Sequence, residues 1–462
     1  MATINQYVRV NRRDSRYLET EDGLTFIPNG CNICWPGRSN DALTYGKHLL
    51  DELANHGANF ARLWLSSSGF DIETSAGEYS DEVIERTRAF VTHAKSCGIR
   101  VKMTLEHFRY VLPEREREHL LKSDVFARPM YHPKNGGPVE TMQSYLDTDV
   151  GRKLFLHKLD VFAKLFTDEP AVFGWELWNE FNCIHAKGWA EWTRDMLREL
   201  RARFPHHLVM QSLGSLDSDG QARDYESLSA VEGQDIVQVH RYIDEGAPFK
   251  VCAGSADEWI ADAMGRLRKW YPDKPLLLAE AGAVEPRHAG PWRHYKADTA
   301  GIVLHEVVFG GFFTGGCGCG QNWHWDSYID KNGLWPEFAR FARATSGFDP
   351  AAIKAETFVT IDDTRQLRAY GLRGTGSVAI WVRDGQNDWR SEFERGKPPG
   401  VVAGAVLRLP SLDGPVSVRC YDPWKDEWSG AAIEGNIVRL PPFKRSIVVR
   451  VELKQEKKEN AR

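Results

Sequence analysis

What this chain lacks narrows its function before any motif is read. No apolar run approaches the roughly 20 residues of a membrane-spanning helix, so a membrane protein is not expected. The opening residues 1–23 carry charges at Arg9, Arg12, Arg13, Asp14 and Arg16 and have no apolar stretch of the secretory type. A cytoplasmic protein is therefore the expectation. Neither sign of charge dominates, since 59 Lys and Arg face 64 Asp and Glu for a formal net charge of −5. That leaves no basic footprint for nucleic acid or for an anionic membrane surface. Eight cysteines in 462 residues are too few for a disulfide scaffold. No internal repeat and no low-complexity segment is present.

Two cysteine pairs, Cys31 with Cys34 and Cys317 with Cys319, raise the question of a four-thiolate zinc site. Residues 317 and 319 share one face of a strand, whereas 31 and 34 do not. Neither pair has a repeating knuckle spacing. Buried free thiols are expected instead, with no metal and no organic cofactor.

What is present has a β-then-α rhythm. Short strands within residues 7–29 come first, separated by Asp14, Asp22 and Gly23. Strands are then predicted at 30–35, 59–65, 100–105, within 171–182, at 208–211, 236–240 and 276–280, with an eighth within 316–323. Helices are predicted at 40–56, 80–96, 150–166, 187–204, 256–270, 295–308 and 337–345, and a long insertion containing residues 127–138 follows the third strand. Eight strand-then-helix units over roughly 315 residues describe a (β/α)8 TIM barrel with insertions. The competing doubly wound sheet would show a glycine-rich phosphate turn after an early strand, and none is found. From residue 350 helical periodicity stops, and seven or so short β-type segments suggest an antiparallel β-sandwich. The expected division is a catalytic barrel over 1–347, an accessory sandwich over 350–454 and a charged tail over 455–462.

The barrel gathers chemistry at one mouth. Arg62, His107, Asn179, Glu180, His240, Tyr242, Glu280 and Trp323 all fall at the C-terminal ends of predicted strands, the face on which such barrels act. An isolated Asn-Glu pair usually caps a helix, but six strands delivering polar or aromatic residues to one end is more than packing requires. Two glutamates in that position suit glycoside hydrolysis, which needs a carboxylic acid and a carboxylate on opposite sides of the anomeric carbon. Arg62 and Tyr242 as neighbours would keep Glu280 ionised, which makes it the nucleophile. Glu180, between tryptophans and with no obvious cation, would hold a proton and act as general acid, then base. Asn179 would bond the sugar 2-hydroxyl, and Trp323, Trp325, Trp35 or Trp178 would stack on the sugar.

These residues resemble a known family, the retaining glycoside hydrolases of clan A, and are most similar to family 5, the cellulase family. The resemblance covers about residues 18–345. It implies that Asn179-Glu180 carries the acid/base and that Glu280 is the nucleophile. Arg62, His107, the His240-Arg241-Tyr242 triplet and Trp323 match the supporting set. The opening EDGLTFIPNGCNICW and the later WDSYIDKNGLW depart from secreted cellulases and mannanases and look like another branch. The function expected is a retaining β-glycosidase on carbohydrate, exo-acting on short β-mannosides, β-glucosides or β-galactosides. The exo expectation rests on the missing export signal and on residues 130–138, which are expected to close one end of the cleft. An endo-acting mannanase or glucanase, or a transglycosylase, would use the same residues. A catalytically inactive binding protein is disfavoured because both glutamates and their supports are intact. The sandwich is expected to brace the barrel, since its Trp381, Trp389, Trp424 and Trp428 form no evident platform.

Overall fold

The computed structural model describes residues 4–36, 41–107, 130–184, 186–362, 367–409 and 416–453. The tail expected over 455–462 lies outside them. Among the described residues no helix is long and apolar enough to cross a membrane. Strands Val8–Val10, Leu18–Thr20 and Thr25–Phe26 form a small antiparallel sheet ahead of the barrel.

Five parallel barrel strands follow in spatial order: Gly30–Asn32, Phe60–Trp64, Arg100–Glu106, Val172–Trp178 and Leu208–Met210. All their residues are buried, as expected of parallel strands covered on both faces. A second parallel pair joins Val237–Ile243 to Leu276–Ala283. The ladder is not continuous around the ring. Between the fifth and sixth strands the gap is spanned at Val209, whose O accepts from Asp235 N (2.9 Å) and whose N–H donates to Asp235 Oδ2 (2.9 Å), and beyond it by Leu216 N donating to His240 O (2.8 Å).

The eighth position is extended backbone rather than a regular strand. Gln321 N donates to Leu278 O (2.9 Å) on the seventh strand, and Asn32 N on the first donates to Asn322 O (3.2 Å). Glycines explain the irregularity. A Cβ at Gly320 would sit 2.1 Å from Val307 O, so only glycine lets this segment lie against the helix Ile302–Phe313. Gly320→Ala should therefore destabilise the barrel by about 1–3 kcal/mol, the usual range for overpacking. Urea unfolding of the variant measures it, and an unchanged midpoint would contradict the close approach.

Two of the helices packed around the barrel also differ from the sequence expectation. A helix at Asp219–Ser229, N-capped by Ser218, lies between the fifth and sixth strands, where the sequence pattern predicts none. Only Tyr225 and Leu228 are buried in it, too few to give a helical apolar stripe. The helix expected at 295–308 is instead Ile302–Phe313, buried at every position. A helix apolar all round must be covered all round, and the C-terminal sheet supplies the outer cover.

That sheet has six antiparallel strands, Glu356–Asp362, Leu367–Gly374, Ser377–Asp384, Ser446–Leu453, Val416–Asp422 and Glu427–Gly430. A three-stranded sheet of Val406–Arg408, Ile437–Arg439 and Ala432–Glu434 faces it. Ile380, Val449, Leu407 and Val438, among others, fill the space between the two sheets, in a core separate from the barrel's. The other face of the larger sheet meets the barrel through apolar residues such as Leu372, Trp381 and Val448, which join the barrel's core, and through charges: Arg383 bonds Glu306, Arg368 Nε bonds Asp257 (2.6 Å) and Tyr370 OH donates to Asp257 (2.9 Å). Burial pushes Glu306 up to about 7, with Arg383 opposing the shift.

Candidate active site

Arg62 is the hub of the site. It projects from the second barrel strand, fully buried, and a buried guanidinium must find acceptors for its donors. It grips Glu176 through Nε and Nη2, both at 2.9 Å. Its Nη2 also donates to Asn179 Oδ1 (2.7 Å), and Nη1 donates to Asn32 Oδ1 (3.2 Å) and Glu280 Oε2 (3.3 Å). One cation thus fixes residues from the first, fourth and seventh strands. Burial alone would favour a neutral Glu176, but Arg62 and Lys102 outweigh it and hold the carboxyl well below the usual range. Lys102 itself is pushed down to about 8 by burial, against the pull of Glu176.

Glu180 and Glu280 meet across one imidazole. His240 Nδ1 lies 2.9 Å from Glu180 Oε1 and 2.7 Å from Glu280 Oε2. A carboxylate oxygen of each glutamate and a ring nitrogen of His240 all fall within 4.8 Å of one another. A register shift between Val239 and His240 puts His240 opposite Glu280, a use of a β-irregularity to aim a side chain. Burial lowers the readiness of His240 to charge, yet Glu280 and Glu180 overcome this and raise its pKa. Burial likewise opposes ionisation of Glu280, and His240 and Arg62 outweigh it to hold the carboxyl below its ordinary value. The two glutamates sit differently: the Glu280 side chain is 3% exposed and that of Glu180 18%. Glu180 also has a left-handed φ of 51°, a strained conformation for a non-glycine residue and one that often marks a functional site.

Both glutamates line a cavity of about 390 Å3. Asn179, Tyr242 and Trp323 line it too, joined by Trp64, which the sequence reading does not single out. Trp64 and Trp323 lie 5.1 Å apart, and Trp35 packs edge-on against both, at 5.3 and 4.9 Å. Trp325 is buried, 4.8 Å from Trp35. His107 stacks on Trp64 at 4.5 Å, and its Nδ1 meets Ser66 Oγ at 2.5 Å. It packs against Trp64 and is not among the described residues that line the cavity.

Three expectations need correction. Trp178 is buried in a cluster with Phe181 (5.1 Å), Tyr145 and Trp192, so it is core and does not line the cavity. Tyr242 lies near Glu280, which with burial raises the phenol's pKa, but the neutralising donors on Glu280 are His240 and Arg62. Glu180 has a basic neighbour that the sequence reading does not give it, since His240 Nδ1 lies 2.9 Å from its Oε1. The sequence reading also passes over Glu176 as a partner of Arg62. A carboxylate inside an otherwise apolar strand is the available signal, since it demands a buried cation.

The cysteines weighed as zinc ligands do not converge. Among the described residues three groups of possible ligand atoms come together, around Cys97, around His240 and around His288, and none contains Cys31, Cys34, Cys317 or Cys319. Burial pushes the last two thiols up to about 12.

A profile described as Cellulase (glycosyl hydrolase family 5) matches residues 21–300, more than half of the chain. The chain belongs to glycosyl hydrolase family 5. Among curated proteins it is similar to "Mannan endo-1,4-beta-mannosidase 1" of Oryza sativa subsp. japonica, 26% identical over 301 residues, covering 56% of this chain and 66% of that one. Among solved structures it is similar to a glycoside hydrolase family 5 protein from Bacteroides vulgatus, with TM-score 0.63 and 15% identity, covering 97% of this chain and 94% of that one. The endo-1,4-beta-mannanase from Rhizomucor miehei has TM-score 0.52 at 15% identity, covering 73% of this chain and 99% of that one. At such identities the structures speak for the fold alone, a (β/α)8 barrel. As a family 5 member the chain is a glycoside hydrolase, and the close approach of its two carboxylates suits the retaining class.

Proposed function

We propose that this family 5 enzyme is an endo-acting β-1,4-mannanase, with Glu280 as nucleophile and Glu180 as general acid and base. The observation that carries the mechanism is the sharing of His240 Nδ1 by two carboxylates whose oxygens lie within 4.8 Å. Retaining enzymes keep the two carboxyl groups roughly 5–5.5 Å apart, too close to seat a water between glutamate and sugar. Glu280, ionised beside His240 and Arg62, attacks the anomeric carbon. Glu180 gives its proton to the departing oxygen and later takes one from water.

The imidazole serves both steps. While Glu280 is a carboxylate, the Nδ1–H donates to it. Once Glu280 is esterified and Glu180 has lost its proton, the same N–H turns to Glu180. Asn179 Oδ1 is occupied by Arg62 (2.7 Å), so its amide N–H groups are left for the sugar 2-hydroxyl. Trp323, only partly buried, offers an apolar face to the sugar C–H groups, and Trp64 backs the same wall.

The relative's name supports mannan as substrate and endo action as the mode. The exo action expected from the sequence has less behind it. Residues 130–138 are expected there to close the cleft, but Met130 and Tyr131 are buried, with Tyr131 OH donating to Glu73 Oε2 at 2.7 Å. Among the described residues none from this stretch lines the cavity. Residues 108–129 of the same insertion lie outside the described residues.

Linear β-1,4-mannan and mannohexaose test the proposal. A rapid fall in viscosity with a mixture of short oligosaccharides is expected, each released first as the β-anomer by NMR. Release of mannose alone would contradict endo action, and a first-formed α-anomer would contradict retention.

A further inference from the structure

The cavity continues past Glu180 over residues that the two chemical steps do not use. Ser215 and Asp217, after the fifth strand, and His288, after the seventh, line it together with both glutamates. Their arrangement is tightly defined. His288 Nε2 lies 3.3 Å from Ser215 Oγ and 3.7 Å from Asp244 Oδ2, and its ring meets Tyr242 edge-on at 5.1 Å. Asp244 is almost fully buried, and its Oδ1 accepts the backbone N–H groups of Gly246 (2.7 Å) and Arg287 (2.9 Å). Arg287 and His288 both have left-handed φ, 63° and 57°, which L-residues keep only when their surroundings enforce it.

Part of that enforcement comes from the C-terminal sandwich. Arg390 Nη2 donates to Glu245 (3.1 Å), the neighbour of Asp244, and Arg390 Nη1 donates to Ala253 O. Arg293 joins Glu245 (2.7 Å) to Glu394 (3.2 Å), and its backbone N–H donates to Glu285 (2.6 Å). Trp389 Nε1 donates to Gly254 O (2.9 Å), and Trp389 packs edge-on against Trp292 at 5.4 Å. Residues 389–394 thus hold the loop after the sixth strand and the turn that delivers His288.

We propose that His288 and Asp217 bind the sugar on the leaving-group side of the scissile bond, and that sandwich residues 389–394 are positioning residues for His288. The inference rests on the reading of Glu180 as the acid, because the acid must touch the departing oxygen. Asp217 lies on that side: it lines the cavity together with Glu180 and Cys183, whose N–H donates to Glu180 O (2.9 Å). A carboxylate beside an imidazole suits adjacent hydroxyls of a pyranose, accepting from one and donating to the other. An aryl leaving group offers no such hydroxyls.

The test compares mannopentaose with 2,4-dinitrophenyl β-mannobioside on His288→Ala, Asp217→Asn and Arg390→Ala. For the first two, kcat/KM on mannopentaose should fall about 10- to 100-fold further than on the aryl substrate, the worth of one or two charge-assisted hydrogen bonds. Arg390→Ala should show the same selective loss at about 3- to 10-fold, through a disturbed rather than deleted contact. A merely structural role would lower both substrates by one factor, and that result, or no loss at all, overturns the proposal. So would turnover that requires an added divalent cation, since Asp217, Asp244 and His288 would then be its ligands. A wrong assignment of Glu180 shows separately, as a Glu180→Ala variant with no selectivity between the same two substrates.

Discussion

Glu280→Ala should abolish turnover of every β-linked substrate, with a loss on the order of a million-fold, the scale for removing a covalent nucleophile. The reason is geometric as well as chemical. Glu280 Oε2 sits 2.7 Å from His240 Nδ1 and 3.3 Å from Arg62 Nη1, so both donors are aimed at a charge that the variant lacks. The space vacated is an anion site next to a buried guanidinium. Added azide or formate should enter it and attack an activated glycoside from the face where Glu280 stood. The product of rescue by azide should be the α-glycosyl azide, inverted relative to substrate. A β-configured azide would mean that the two glutamates have exchanged roles.

Glu180→Ala should give a loss that depends on the leaving group. A dinitrophenolate departs without a proton, so the first step survives with such a substrate. The glycosyl ester on Glu280 then accumulates, because Glu180 is also the base that activates water. A burst followed by a slow steady state is expected, with KM falling along with kcat. Mannopentaose, whose leaving group needs the proton, should lose about two to four orders of magnitude. Equal losses on both substrates, with no burst and an unchanged KM, would remove Glu180 from the role. Glu176 and Glu106 would be poor replacements. Glu176 is held by Arg62 on both oxygens and Glu106 by Lys158, so neither is free to move a proton.

Much of this is legible in the chain because it depends on short-range pattern. Apolar runs interrupted by Arg62 or Glu280, or followed by Asn179-Glu180, mark buried parallel strands and the polar groups they carry to the face on which barrels act. The eighth strand is harder to read, because Gly316, Gly318 and Gly320 reflect close backbone approach, not β-propensity. Residues 219–229 hide their helix because two buried side chains make no stripe. At the site, a tryptophan beside the acid looks the same in sequence whether it faces sugar or core. Trp178 faces Phe181 and Trp192, while Trp323 faces the cavity. The sharing of His240 depends on a register shift between two strands, and no local pattern announces that. The loops that carry Asp217 and His288 to one cavity are far apart in sequence, joined only by the fold and by the sandwich beyond it.

The central claim is a covalent intermediate on Glu280, and trapping it is the most direct measurement. A 2-deoxy-2-fluoro-β-mannoside with a dinitrophenolate leaving group slows both steps by destabilising the oxocarbenium-like transition state, while the good leaving group keeps the first step the faster. After incubation, proteolysis and mass spectrometry should find one fluoromannosyl group per chain, carried by the peptide containing Glu280. A label on Glu180, or rapid turnover to an α-configured product with no label on any peptide, would contradict the account.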